Sequence, residues 1–255
     1  MASTLSFINQ KGGVGKTTSA VNVALSLAVS EVRTLIVDLD PQANATTGLS
    51  SICSNLDGSI YDILIKDAKI LDVINKTSFS HLDIIPSTND LVGAEVELVG
   101  VIAREYQLKK SLEQISEKYD IIIIDCPPSL GLLTVNSLTA SNEIIIPIQC
   151  EYYALEGLGQ LLNTVRLVQQ NLNKDLKIGG VIMTMFDSRL NLSNQVVKEV
   201  DGFFKEKLFK TMIHRNVRLS EAPSFGKPAL LYDANSTGAQ NYLSLTEEIL
   251  KRVNQ

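Results

Sequence analysis

The sequence predicts an α/β fold, a doubly wound and mainly parallel sheet of seven or eight strands with helices on both faces. Short runs rich in β-branched residues recur along the chain, and helical patterns lie between them. Alternation of that kind over a whole chain builds a parallel sheet covered by its own crossover helices. The four consecutive isoleucines at 121–124 have no polar alternation, as expected of a parallel strand buried on both faces.

The elements follow in order. A first strand at 5–8 leads into a helix at 18–29, and further strands are expected at 34–37 and 82–85. An apolar periodicity at 91–117 predicts one long helix, followed by strands at 121–124 and 144–148. A helix at 155–171, a strand at 181–185, a helix at 192–206 and a weaker strand at 208–213 complete the series. No repeat, low-complexity tract or Pro/Gly-rich linker divides it, so residues 1–255 are expected to form one domain.

Composition narrows the function classes. Hydrophobic residues make up 45% and charged residues 20%, enough for a full-sized core. Aromatics are only 5% and Trp is absent, so the core is built from Ile, Leu and Val, and stacking on unpaired bases is not the main activity. Three cysteines, Cys53, Cys126 and Cys150, without C-x-x-C spacing argue against a disulfide framework and a zinc site. The N-terminus has no basic leader and no apolar run approaches a membrane span, so a cytoplasmic protein is expected. The net charge of −5 argues against global attraction to nucleic acid. Between residues 174 and 227, however, ten Lys or Arg stand against six Asp or Glu, a net of +4, leaving −9 for the remainder. That segment is either a local basic patch or a solvated face.

The most informative segment joins the first strand to the first helix: INQKGGVGKTT, residues 8–18. Glycines at 12, 13 and 15 allow backbone conformations that bring successive N–H groups onto phosphate oxygens. The positive end of the following helix adds to this. Lys16 can reach β and γ phosphates, and the Thr17 hydroxyl can ligate Mg²⁺. Gln10 stands where the strict phosphate loop has Gly, and Thr18 stands where a dinucleotide fingerprint has its last Gly or Ala. The result is a variant phosphate loop with an additional lysine, Lys11; the bland alternative is a Gly-rich turn without ligand. Asp38 and Asp40 follow the second strand and Asp125 follows the isoleucine run. These are the strand ends where open α/β sheets bind ligands, and Asp125 there suits water-mediated Mg²⁺ binding. Each Asp alone could equally be a helix cap.

These segments, together with VDLDPQANAT, IIIIDCPPSLG, IPIQCEYYALEGL, SRLNLSNQV and RNVRLSEAPSFGKP, resemble the ParA/Soj family of partitioning ATPases, in the deviant Walker A (MinD/ParA) class. The resemblance runs from about residue 4 to about residue 250. It implies an ATPase that uses ATP and Mg²⁺, with Gly12, Gly13, Val14, Gly15, Lys16, Thr17 and Thr18 around the phosphates. It further implies that Lys11 crosses a dimer interface to the partner's phosphates, that Asp40 positions the attacking water, and that Thr17, Asp38 and Asp125 serve the metal. Asn216 would lie near adenine, in a loop where the family usually has Pro-Arg-Asn and this chain has His214-Arg215-Asn216. Arg189 and Arg218 align with arginines that bind double-stranded DNA without sequence preference; for Arg189 the alternative is an ion pair with Asp187.

The resemblance thus implies a homodimer when ATP-bound, nucleoid association, and a ParB-type centromere-binding partner that stimulates hydrolysis. A MinD-like division-site ATPase would need a basic amphipathic membrane helix at the C-terminus, but Glu247 and Glu248 offset Lys251 and Arg252 there. An iron–sulfur carrier ATPase would need cluster-bridging cysteines, and a small-molecule kinase an acceptor pocket; neither pattern is present.

Overall fold

A computed structural model describes residues 2–152, 154–155 and 157–253; Glu156 of the expected helix at 155–171 lies outside them. The strands are β1 (Ser3–Phe7), β2 (Thr34–Asp38), β3 (Asn75–Lys76), β4 (Leu82–Ile85), β5 (Ile121–Asp125), β6 (Glu143–Gln149) and β7 (Lys177–Thr184). They form one sheet in the order β3-β4-β2-β5-β1-β6-β7. All neighbouring pairs are parallel except β3 with β4. The helices that follow the chain are α1 (Lys16–Val29), α2 (Asn44–Gly48), α3 (Ile60–Ile65), α4 (Ile70–Val73), α5 (Leu91–Glu97), α6 (Gln107–Glu113), α7 (Leu132–Ala140), α8 (Leu158–Asn171), α9 (Asn191–Phe204), α10 (Val217–Glu221), α11 (Ala229–Tyr232) and α12 (Thr237–Val253).

The isoleucine run divides its side chains between two cores. Ile121 and Ile123 join Leu5, Phe7 and Ile36 beneath α1 and α12, which contribute Val23, Leu27, Tyr242, Leu245 and Ile249. Ile122 and Ile124 join Leu35, Val37, Ile144 and Ile146 on the other face, under residues of α3 and α5 to α9. Successive strand side chains point to opposite faces, so an unbroken apolar strand needs helices on both. The apolar stripe of α12 is therefore buried in the first of these layers.

Two expected elements differ. The long helix at 91–117 is instead α5 and α6, separated by irregular turns. Gly100 lies at the break, Val101 is extended, and Ala103 takes a left-handed φ of 51°, which no continuous helix accommodates. Residues 208–213 run beside β7 without becoming a strand: Phe209 N–H donates to Val181 and Ile213 N–H to Met183. Between them the N–H groups of Lys210 and Thr211 donate to the Glu248 carboxylate of α12 instead. The seventh strand is the two-residue β3, too short to show in the hydrophobic pattern.

Candidate nucleotide-binding site

Register assembles the site. β1 lies between β5 and β6, so the strand order reverses there, and the carboxyl ends of these strands open onto a crevice. Asp38 of β2 is paired directly with Asp125 of β5, and Phe7, which leads into the glycine loop, is paired with the same Asp125. Three segments distant in sequence therefore meet at one sheet edge.

The loop is held by its neighbours. Asn9 donates through Nδ2 to the Pro147 carbonyl at 2.7 Å and accepts the Lys11 N–H through Oδ1 at 3.0 Å. Thr184 Oγ1 donates to the Val14 carbonyl at 2.8 Å. Gly13 and Gly15 have φ of 74° and 87°, and Gly15 caps α1. Gly12 has no such φ, and a side chain there would meet nothing within 4 Å. Of the three glycines, only Gly13 and Gly15 are demanded by backbone conformation; Gly12 leaves an open approach. Val14 is buried and does not line the cavity described below.

Lys16 begins α1 and is buried, with Nζ donating to the Lys11 carbonyl at 3.1 Å. Burial lowers its pKa, and the nearby Asp125, Cys126 and Asp40 partly offset this. Gly12, Gly13, Gly15, Lys16, Thr17, Thr18 and Asp40 line a cavity of about 400 Å³, together with Leu219, Pro223, Lys227 and Pro228. Lys227 and Asn22 were not singled out by sequence. Asn22 accepts the Ala229 N–H at 2.7 Å and so ties α1 to the start of α11.

The carboxylates divide into engaged and free. Asp38 accepts the Thr46 N–H at 2.8 Å, the Thr46 hydroxyl at 2.7 Å and the Asp40 N–H at 3.2 Å. Its pKa is still pushed up to about 6 by burial. Asp40 accepts the Gln42 N–H at 2.9 Å. Asp125 is wholly buried and neither of its oxygens has a partner of hydrogen-bond geometry. Burial and then the Asp38 charge hold its pKa well above the usual carboxylate range, while the adjacent Thr17 hydroxyl acts in the opposite sense. A buried carboxylate with two unpartnered oxygens is costly unless a cation completes it. Among the described residues no cluster of three or more His, Cys, Asp or Glu could hold a metal by itself. The donor set of Thr17, Asp38 and Asp125 thus fits a hard cation that keeps waters and phosphate oxygens as its remaining ligands, as Mg²⁺ does.

The remaining expected residues lie around this centre. Lys11 is half-buried, does not line the cavity, and its ammonium has no ion pair among the described residues. His214 and Asn216 line a smaller adjoining cavity of about 260 Å³ that shares Gly15, Thr18, Met185, Leu219 and Pro223 with the first. Asn216 Oδ1 caps α10 by accepting the Arg218 N–H at 2.9 Å. Arg189, 86% exposed, forms a two-pronged pair with Asp187 at 2.9 and 2.7 Å. Arg218 reaches Glu221 at 2.8 Å and Asp233 at 3.3 Å. The Arg189–Asp187 ion pair that the sequence offers as the alternative is therefore formed. Cys126 and Cys150 are buried and Cys53 is half-buried, and all are free. Burial pushes the Cys126 and Cys150 thiols up to about 12, so these are inert packing groups.

In sequence and fold the chain is similar to known proteins. A family model described as an AAA domain matches residues 2–178. The chain is 57% identical over 249 residues to the sporulation initiation inhibitor protein Soj of Bacillus subtilis, covering 98% of each. It is 51% identical to the chromosome-partitioning ATPase Soj of Treponema pallidum over the full length of both. Among solved structures, a cobyrinic acid a,c-diamide synthase from Mycobacterium smegmatis with bound ADP and magnesium superposes with a TM-score of 0.87 at 35% identity, covering 100% of this chain and 96% of that one. A putative plasmid partition protein from Borrelia burgdorferi bound to AMPPNP gives 0.83 at 26%, covering 99% and 98%. With its loop lysines, strand-end carboxylates and full-length similarity to these relatives, the chain belongs to the Soj/ParA family of chromosome-partitioning ATPases.

Proposed function

We propose that the protein is a Mg²⁺-dependent ATPase whose ATP-bound form is a homodimer that binds duplex DNA without sequence preference and partitions chromosomal or plasmid DNA with a ParB-type partner. The observation that carries this is the different placement of the two loop lysines. Lys16 is buried in the cavity, where it meets the phosphates of its own nucleotide. Lys11 holds Lys16 through its carbonyl and leaves its ammonium outside the cavity. A cation so placed serves a nucleotide bound by a second copy, so occupancy by ATP and pairing of protomers become one equilibrium. Bound Mg²⁺ supplies charge neutralisation at the β and γ phosphates. Thr17, Asp38 and Asp125 would hold it, and Asp40, on the cavity wall, would orient the attacking water.

Arg189 and Arg218 supply the DNA contacts. Their ion pairs are exposed, and such pairs contribute little, so phosphate oxygens can replace the carboxylates. Contacts of this kind give affinity and salt dependence without base readout, and a dimer doubles them. A gel shift with nonspecific duplex, with ATP, ADP or no nucleotide at two salt concentrations, tests the proposal. A salt-sensitive shift with ATP alone is expected, lost in the double variant Arg189→Glu, Arg218→Glu. A shift independent of nucleotide, or retained by that variant, would overturn it. The apolar residues of α12 that a MinD-like membrane anchor would expose are buried against α1, and no described helix is long and apolar enough to cross a membrane.

A further inference from the structure

The adjoining cavity contains a histidine whose tautomer is dictated by its surroundings. Asn241, on α12, presents Oδ1 to two groups of His214: the backbone N–H at 3.2 Å and ring Nδ1 at 3.0 Å. The backbone N–H can only donate, so the atom facing it is the amide oxygen, and Nδ1 must donate to that same oxygen. In the neutral imidazole the proton is then on Nδ1, and Nε2, on the opposite side of the ring, carries a lone pair. Nε2 makes no hydrogen bond among the described residues. The ring is also fixed sideways, packed edge-on against Phe186 with centroids 5.4 Å apart. Asn216, in the same cavity, uses one lone pair of its Oδ1 to cap α10, and its NH₂ donor makes no hydrogen bond among the described residues.

We infer that His214 is a specificity-determining residue for the purine base: Nε2 accepts a hydrogen bond from the exocyclic amine at position 6 of adenine, and Asn241 is the positioning residue that keeps Nε2 an acceptor. This rests on the nucleotide reading of the site. The cavity opens off the phosphate loop at Gly15 and Thr18, which places a base in it when phosphates occupy the larger cavity. Guanine and hypoxanthine have a carbonyl oxygen at position 6, which would set lone pair against lone pair and leave both acceptors unsatisfied. His214 is half-exposed, so water tempers the penalty, and its share of the discrimination is about tenfold.

The test is a competition titration of ATP against inosine triphosphate, which differs from ATP only in the base, with a carbonyl at position 6. Wild-type protein is expected to favour ATP by about tenfold. His214→Ala should bring the two together by weakening ATP while leaving inosine triphosphate unchanged or tighter. Asn241→Ala, which releases the tautomer and leaves the imidazole in place, should reduce the preference partway; a purely structural role for Asn241 would weaken both nucleotides equally. Circular dichroism confirms that each variant is folded. Wild-type protein that binds both nucleotides equally, or His214→Ala protein that keeps the full preference, overturns the inference while the ATP site stands. Wild-type protein that binds neither overturns the nucleotide reading itself.

Discussion

Replacing Asp125 by Asn tests whether the strand-end carboxylates are arranged for a cation. Asp38 and Asp125 are fully buried and in register on adjacent strands, and neither Asp125 oxygen has a partner of hydrogen-bond geometry. At Asp38, burial, the largest cause, and the Asp40 charge move the carboxyl from 3.8 to about 6. With the folded value above the unfolded one, the folded chain keeps a proton that the unfolded chain has released. That contribution is fully present at pH below the unfolded value and is lost as pH rises through about 6, on the order of 3 kcal/mol in all. Asparagine at 125 removes the like charge but brings an amide that costs about 1–3 kcal/mol if it stays unpaired. The expected net effect at pH 7.5 is a gain, because burial and the Asp38 charge hold the Asp125 carboxyl above the usual carboxylate range, and each kcal/mol of it raises Tm by about 2–4 °C for a chain of this length. Thermal unfolding followed by circular dichroism at pH 5 and pH 7.5, with and without Mg²⁺ and nucleotide, measures it. The variant should melt higher than wild type without ligand, lose less stability between the two pH values, and gain little from Mg²⁺-nucleotide. A variant that melts lower without ligand and keeps the wild-type gain from Mg²⁺-nucleotide would show Asp125 to be an ordinary structural carboxylate.

Further outcomes follow from the same geometry. Lys16→Ala removes the one ammonium buried in the larger cavity and should weaken ATP by at least about 100-fold in calorimetry. Asp40→Ala should leave ATP binding intact and slow hydrolysis, so that single-turnover assays find an accumulated ATP-bound dimer; hydrolysis at the wild-type rate would remove Asp40 from the reaction. Thr46→Val deletes the hydroxyl that donates to Asp38 and also accepts the Ser87 N–H. It should destabilise the fold by about 1–3 kcal/mol, read as a lower denaturation midpoint.

Much of this was legible in the sequence because the signals were local. The isoleucine run at 121–124 could be buried only between two layers, and the glycine loop could serve phosphates only between a strand and a helix. What was not legible depended on partners far along the chain. The failure of residues 208–213 to form a strand depends on Glu248, which takes two of their N–H groups. The split of the helix expected at 91–117 depends on left-handed Ala103, a conformation that alanine does not advertise. At the site, the three aspartates were visible at strand ends. That Thr46 engages Asp38 and leaves Asp125 bare was not, because it depends on how the segment after Asp40 folds back. Lys227 lines the cavity from more than two hundred residues beyond the glycine loop, and the acceptor that fixes His214 comes from α12.

The central claim is that Lys11 converts ATP occupancy into pairing of protomers. Light scattering on protein saturated with a nonhydrolysable ATP analogue and Mg²⁺ tests it most directly. Wild-type protein should scatter at twice the 27.9 kDa protomer mass, and Lys11→Ala, equally saturated, at the protomer mass. Wild-type protein that remains single with every site filled, or a Lys11→Ala variant that still pairs, would contradict the account.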